Sequence, residues 1–169
     1  MAPDLASKRV LLLGAETGVG RAIAEALVAG GARLALVATG ADAETAFAVQ
    51  RLGRRLNAPA QAIDGGNEMA VRVMVRQVSK QLGGIDAAVF CADRSAAFQA
   101  PLALAVRYAA RELARTHGTF VAVDVEPWEQ PEGELRLGVT YVSVPLQKMP
   151  LEQAVARALH AVAGAADNR

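Results

Sequence analysis

A glycine-rich turn set directly behind a fully apolar run restricts this chain more than any other feature. Arg9–Leu13 reads RVLLL, and Gly14-Ala15-Glu16-Thr17-Gly18-Val19-Gly20 follows without a break. A continuous apolar run is what a strand covered on both faces needs. Such strands pair in parallel and are joined by long crossovers, usually helices. Each glycine then has a task. Gly14 permits the sharp exit from the strand, Gly18 lets the backbone come close to a diphosphate, and Gly20 lets the helix pack tightly on the strand. The helix N-terminus offers unpaired N–H groups and the positive end of its dipole to the anion. A turn that binds nothing is the competing reading; the context, behind a strand and opening a helix, favours phosphate binding.

The same alternation of short apolar runs and amphipathic stretches continues along the chain. Over 19–29, Val19, Ile23, Ala26 and Leu27 fall on one helix face, and Gly30-Gly31 stops the helix. Further strands are expected at 33–38, 60–64, 87–92, 119–124 and 135–144. Helices are expected at 42–56, from an Asn67 cap to Leu82, at 101–116 and at 151–163. There is no internal repeat and no long linker, so residues 1–169 read as one doubly wound α/β domain. Its sheet has about six mainly parallel strands with helices on both faces; the direction of the sixth stays open.

Composition excludes several classes. A formal net charge of +1 with 21% charged residues argues against a chain built to hold nucleic acid or anionic lipid. The arginines at 51, 54 and 55 complement a helix C-terminus and lack the interleaved aromatics of a nucleic-acid patch. Cys91 is the one cysteine, so no disulfide and no cysteine-based zinc site is expected, and a reducing cytoplasm is the natural compartment. His117 and His160 have no partner at ligand spacing, and no metal is expected. The opening MAPDLASKR has no apolar stretch of the signal-peptide kind, and no apolar run approaches the roughly 18 residues of a membrane span.

The glycine turn resembles that of the short-chain dehydrogenase/reductase family, T-G-x-x-x-G-[IV]-G. GRAIAEALVAGGARLALVA is similar to the family's first helix and second strand. GGIDAAVFCAD stands where the family has G-x-[IL]-D-x-L-V-N-N-A-G, and GVTYVSVPL resembles its sixth strand and the corner after it. The likeness runs from about Lys8 to Ala163. It implies a Rossmann sheet of order 3-2-1-4-5-6, often with a seventh strand that this chain is too short to include. It also implies a nicotinamide dinucleotide held at Gly14, Glu16, Thr17, Gly18, Val19 and Gly20. Ala38 and Thr39 would lie at its ribose, Asp64 near its adenine, and Cys91 and Ala92 along its nicotinamide half.

Members of that family move hydride between cofactor and a carbonyl or alcohol using a tyrosine, a lysine, a serine and an asparagine. The Y-x-x-x-K spacing puts phenol and ammonium on one helix face. Here Tyr108 is followed four residues later by Glu112, and Tyr141 by Pro145. A glutamate there would raise the phenol pKa instead of lowering it. Between the fifth and sixth expected strands, residues 125–134 read VEPWEQPEGE, and two prolines and a glycine forbid a regular helix. Phe90-Cys91-Ala92-Asp93 replaces the asparagine corner, and neither Ser95 nor Ser143 stands directly after the fifth strand. The helix that would carry the catalytic pair reads as deleted, so no catalytic residue is assigned.

NAD-preferring members carry an acid near position 38, where this chain has Ala38-Thr39. That shifts the expectation toward NADP(H), bound weakly, since neither Thr17 nor Thr39 is basic and Glu16 would oppose a phosphate if it pointed inward. NAD(H) and an empty cleft remain the alternatives. Deleting a helix would also leave the apolar side of 101–116 uncovered. A wet patch of a few hundred Å² would forgo several kcal/mol at about 25 cal/mol per Å². A homodimer or a protein partner is therefore expected on that face. The 124–134 loop, with five acids around the lone Trp128, is either an ordinary solvated loop or a second contact for a basic partner. The leading expectation is a Rossmann protein without the tetrad, acting as a dinucleotide-responsive or interaction subunit. The alternatives are an oxidoreductase using Cys91, Asp93, Tyr141 or a partner's groups, and a structural relic without ligand.

Overall fold

A computed structural model describes residues 3–134, 136 and 138–164. In chain order the elements are β1 (Arg9–Leu13), α1 (Gly18–Ala29), β2 (Arg33–Ala38), α2 (Ala43–Leu56), β3 (Ala60–Ala62), α3 (Glu68–Leu82) and β4 (Ala87–Cys91). They continue with α4 (Gln99–Thr116), β5 (Thr119–Val123), β6 (Thr140–Val144) and α5 (Leu151–Ala163). All strand pairs are parallel, and the sheet order is β3-β2-β1-β4-β5-β6. This is the doubly wound Rossmann arrangement, and β6 runs parallel to the rest. Leu12 lies opposite Leu36 on one side and Val89 on the other, so β1 is the centre of the sheet.

Strand pleating splits the apolar residues into two cores. Leu11, Leu13, Val37, Ala88, Phe90 and Phe120 pack against α3 and α4. Val10, Leu12, Leu36, Val89, Cys91 and Val121 pack against α1, α2 and α5. That two-sided demand is why the strands read as unbroken apolar runs. At the N-terminal edge of the sheet, Arg9 Nε donates to Asp86 Oδ2 at 2.9 Å and Arg9 Nη2 to Asp86 Oδ1 at 3.0 Å, which ties β1 to β4. This guanidinium holds the Asp86 carboxyl below the usual carboxylate range. The edge opposite, where the strands end, is left free for a site.

The β5–β6 crossover contains no α-helix among its described residues, only a short 3-10 turn at Pro127–Glu129. It is held down by ion pairs instead: Arg94 with Glu129 at 3.1 Å, Arg107 with Glu134 at 2.9 Å, and Lys148 with Glu126 at 3.4 Å. Three of the five acids of the 124–134 loop thus have cationic partners within the chain. The sixth strand is shorter than the expected 135–144. Gly138 turns the chain at φ +86°, and Val139 N–H donates to Arg136 O, so pairing starts only at Thr140; positions 135 and 137 lie outside the described residues.

Nor is the apolar side of 101–116 left open. None of the exposed large apolar side chains (Phe47, Met69, Val73, Trp128 and Leu151) belongs to α4. Val125, Val139 and Tyr141 of the crossover and β6 join the α3/α4 core instead. Among the described residues no helix is long and apolar enough to cross a membrane.

Candidate functional site

The glycine turn lies at the C-terminal edge of β1, where the sheet order reverses between β1 and β4. Ligands of open α/β sheets bind at such a switch point. Thr17 organises the turn. Its Oγ1 donates to Gly14 O at 2.8 Å and accepts from Gly20 N–H at 2.9 Å, which caps α1. The Gly18 and Val19 N–H groups find no acceptor among the described residues.

The three glycines differ in what demands them. At Gly14, with φ +81°, a Cβ would sit 2.2 Å from Cys91 O; at Gly20 it would sit 2.2 Å from Gly14 O. Both are required by the protein's own backbone. Gly18 is not: its φ is ordinary, a Cβ there would meet nothing within 4 Å, and the position opens outward.

Beside the turn is a cleft of about 740 Å³. Glu16, Thr17, Gly18 and Val19 form one wall, Ala92, Asp93 and Arg94 the end of β4, Asp124 the end of β5, and Leu146, Met149 and Leu151 an apolar rim leading into α5. Of the residues expected at a cofactor, five line this cleft: Glu16, Thr17, Gly18, Val19 and Ala92. Gly14 and Gly20 shape it from behind. Ala38 and Thr39 close the end of β2 next to it and are joined to the turn by Glu16. The Glu16 carboxylate accepts from Thr39 N–H at 3.2 Å and from Thr39 Oγ1 at 3.1 Å. The third strand stops at Ala62 rather than at 64, so Asp64 is exposed two residues past β3 and caps its own turn, accepting from Gly66 N–H at 3.0 Å.

Cys91 does not reach the cleft. Its side chain is in the α1/α2/α5 core, and burial pushes its thiol far up, with Glu16 and Asp124 adding to the rise. It acts through its backbone, against Gly14. Tyr141 also lies away from the cleft lining. It stacks on Phe120 with ring centroids 5.8 Å apart, and burial pushes its phenol up to about 12; Ser143 on the same strand offsets only part of that. Among the described residues neither Tyr141 Oη nor Ser143 Oγ reaches a partner with hydrogen-bond geometry. Tyr108 is on α4 and donates to Glu68 Oε1, away from the cleft. Asp93 is occupied locally, accepting from Ser95 N–H. Among the described residues no cluster of three His, Cys, Asp or Glu side chains is placed to hold a metal.

Sequence reasoning missed Asp124 and Arg94. Asp124 takes φ +62°, an unusual conformation for a residue with a side chain, and its N–H donates to Val144 O. Its carboxylate makes no hydrogen bond among the described residues. Burial raises it above the usual range, against the pull of Arg94. The available signal was positional: a polar residue directly behind a parallel strand stands on the ligand edge. Arg94 had no such signal. Its Nη1 donates to Asp124 O at 2.7 Å, a partner 30 residues away.

Residues 14–103 match the family model described as enoyl-(acyl carrier protein) reductase. No curated protein sequence matches the chain. Solved structures similar to it include a short-chain type dehydrogenase/reductase from Mycobacterium marinum, 27% identical with a TM-score of 0.58, over 72% of this chain and 57% of that one. Another, from Mycobacterium ulcerans, is 26% identical with a TM-score of 0.56, over 70% of this chain and 51% of its own. The NADPH-dependent 3-quinuclidinone reductase from Rhodotorula rubra, 20% identical with a TM-score of 0.54, shares the fold over 72% of this chain and 53% of its own. The chain spans only slightly more than half the length of these structures.

Proposed function

This chain belongs to the short-chain dehydrogenase/reductase family, and we propose that it keeps the family's dinucleotide cleft without the catalytic tetrad, as a dinucleotide-responsive, non-catalytic subunit. Gly18 carries the first half of that reading. Neither φ nor neighbouring atoms require glycine there, and a ligand that must touch the backbone does. The free N–H groups of Gly18 and Val19 would hold the diphosphate. Thr39 and Glu16 would face the adenosine ribose, Asp64 the adenine side, and Ala92 the nicotinamide half. When bound, such a dinucleotide supplies a hydride couple.

The second half is supported by the β5–β6 crossover. It offers a 3-10 turn and ion pairs where a helix would be needed to bring phenol and ammonium together. Tyr108 and Tyr141 are each committed elsewhere.

One observation favours a second reading, an oxidoreductase with an atypical proton donor. The Asp124 carboxyl is raised, has no hydrogen-bond partner among the described residues and faces the cleft, which is the condition of a general acid. Cys91 and Tyr141 are poorer candidates because their acidic groups are buried away from it.

Titration with NAD(H) and NADP(H), followed by Trp128 emission and thermal unfolding and repeated with simple carbonyls present, tests the proposal. Saturable binding without turnover is expected. No response to any dinucleotide would remove the reading, and turnover would install the second.

A further inference from the structure

We infer that Glu16, reaching from the glycine turn to the end of β2, makes this cleft selective for a nicotinamide dinucleotide with a free adenosine 2′-hydroxyl, NAD(H), over one with a 2′-phosphate, NADP(H). The inference rests on the dinucleotide reading above and reverses the preference that Ala38-Thr39 suggests in the sequence alone. Dinucleotide-binding sheets discriminate at the end of the second strand, where an acid accepts from the ribose hydroxyl and repels a phosphate. In this chain β2 itself ends in Ala38-Thr39, neither of them acidic. The structure delivers a carboxylate to the same place from another element.

The delivery is specific. Both Glu16 oxygens lie 3.2 Å from Thr39 N, and Oε2 also accepts from Thr39 Oγ1 at 3.1 Å. Thr39 is itself fixed from the far side, since Gly65 N–H donates to Thr39 O at 3.1 Å and a Cβ at Gly65 would sit 2.9 Å from Thr39 Cβ. The acid is therefore held at the strand end rather than free to swing into solvent.

Its charge is also uncompensated. Glu16 forms no ion pair among the described residues. The connection from β2 to α2 reads Thr39-Gly40-Ala41-Asp42, which adds an acid and no base. Arg21, one turn into α1, is the nearest basic residue in sequence and makes no hydrogen bond to Glu16. A 2′-phosphate carries up to two negative charges and needs cationic or N–H partners. Here it would meet a fixed carboxylate whose remaining lone pairs suit a hydroxyl donor.

Calorimetric titration of the native chain and of Glu16→Gln with NAD⁺ and NADP⁺ tests this. Glutamine keeps the length and one acceptor oxygen but removes the charge. NAD⁺ is expected to bind the native chain about tenfold or more tightly than NADP⁺, and the ratio should fall to within about threefold in Glu16→Gln, chiefly because NADP⁺ improves. An unchanged thermal midpoint of the unligated variant checks that the turn is intact. Should that midpoint fall, Glu16→Asp, which retracts the charge without removing it, must still show NAD⁺ preferred. NADP⁺ binding the native chain as tightly as NAD⁺ overturns the inference while leaving the dinucleotide reading in place. So does a ratio that ignores Glu16→Gln. Failure of both dinucleotides to bind brings down the dinucleotide reading itself, and this inference with it.

Discussion

A Cβ on Gly20 would press on Gly14 O from 2.2 Å and on Thr17 Oγ1 from 2.8 Å, whereas one on Gly18 would touch nothing. Two glycines two residues apart thus answer to different demands, and substitution separates them. Gly20→Ala is expected to destabilise the fold by about 2–3 kcal/mol, because the clash is with backbone that cannot rotate away. Gly18→Ala is expected to leave stability unchanged or raise it by up to about 1 kcal/mol, since it stiffens the unfolded chain at a compatible φ. It should nonetheless weaken dinucleotide binding. Urea unfolding read beside a binding titration distinguishes the two, and a Gly18→Ala variant that unfolds early would assign that glycine to packing. Asp124 shows a residue-scale feature of another kind: a side chain held at φ +62° with its carboxyl raised by burial. Backbone strain of this sort clusters at functional positions.

At the scale of elements, β6 is the departure from the rest of the sheet. Its Val142 and Val144 side chains pack with α5, while Tyr141 and Ser143 face the side on which, among the described residues, no helix lies beyond α4. Two hydroxyls there are buried without partners among the described residues. An unsatisfied buried hydroxyl contributes nothing to the fold and costs its desolvation. Tyr141→Phe keeps the stack on Phe120 and is expected to be neutral or stabilising by up to about 1 kcal/mol in thermal or urea unfolding. A loss larger than that would show that the phenol has a partner. The 3-10 turn behind β5 carries the exposed Trp128 with Lys148 over its ring at 5.3 Å, so its emission reports on the crossover.

Across the whole molecule, the two ends of the sheet are stabilised differently. The N-terminal edge is tied by Arg9 and Asp86, while at the other end the crossover is held by partly buried ion pairs to Arg94, Arg107 and Lys148. Arg107 holds the Glu134 carboxyl below its ordinary range. At Glu129 burial pushes the carboxyl up, but Arg94 and the Glu126 N–H outweigh it. A carboxyl depressed in the folded state stabilises the fold above its unfolded pKa, and loses that contribution as pH falls through the folded value. Asp124 acts in the opposite sense, because its raised carboxyl makes protonation favourable in the fold. Below about pH 4 Asp86 loses its contribution as well, but β1 is also held by apolar burial on both faces, so β6 amides should exchange hydrogen faster relative to those of β1, while the central strands stay protected. Uniform loss of protection across the sheet would contradict a crossover held by these pairs.

Strands and helices were legible in the sequence because burial on both faces leaves unbroken apolar runs, and because glycine at Gly14 and Gly20 marks where backbone must come close to backbone; the strand order was implied only by the likeness to the short-chain dehydrogenase/reductase family. The missing Tyr-x-x-x-Lys spacing was legible for the same reason: it is a local pattern. Tertiary structure alone decided where Glu16 points, that α4 has no large apolar side chain exposed, and that Cys91 is core while Asp124 faces the cleft. Each of these depends on contacts between residues far apart in sequence, such as Glu16 with Thr39 or Arg94 with Asp124. Periodicity reports which face of an element is apolar. It carries no information about which distant strand end that face's neighbour will meet.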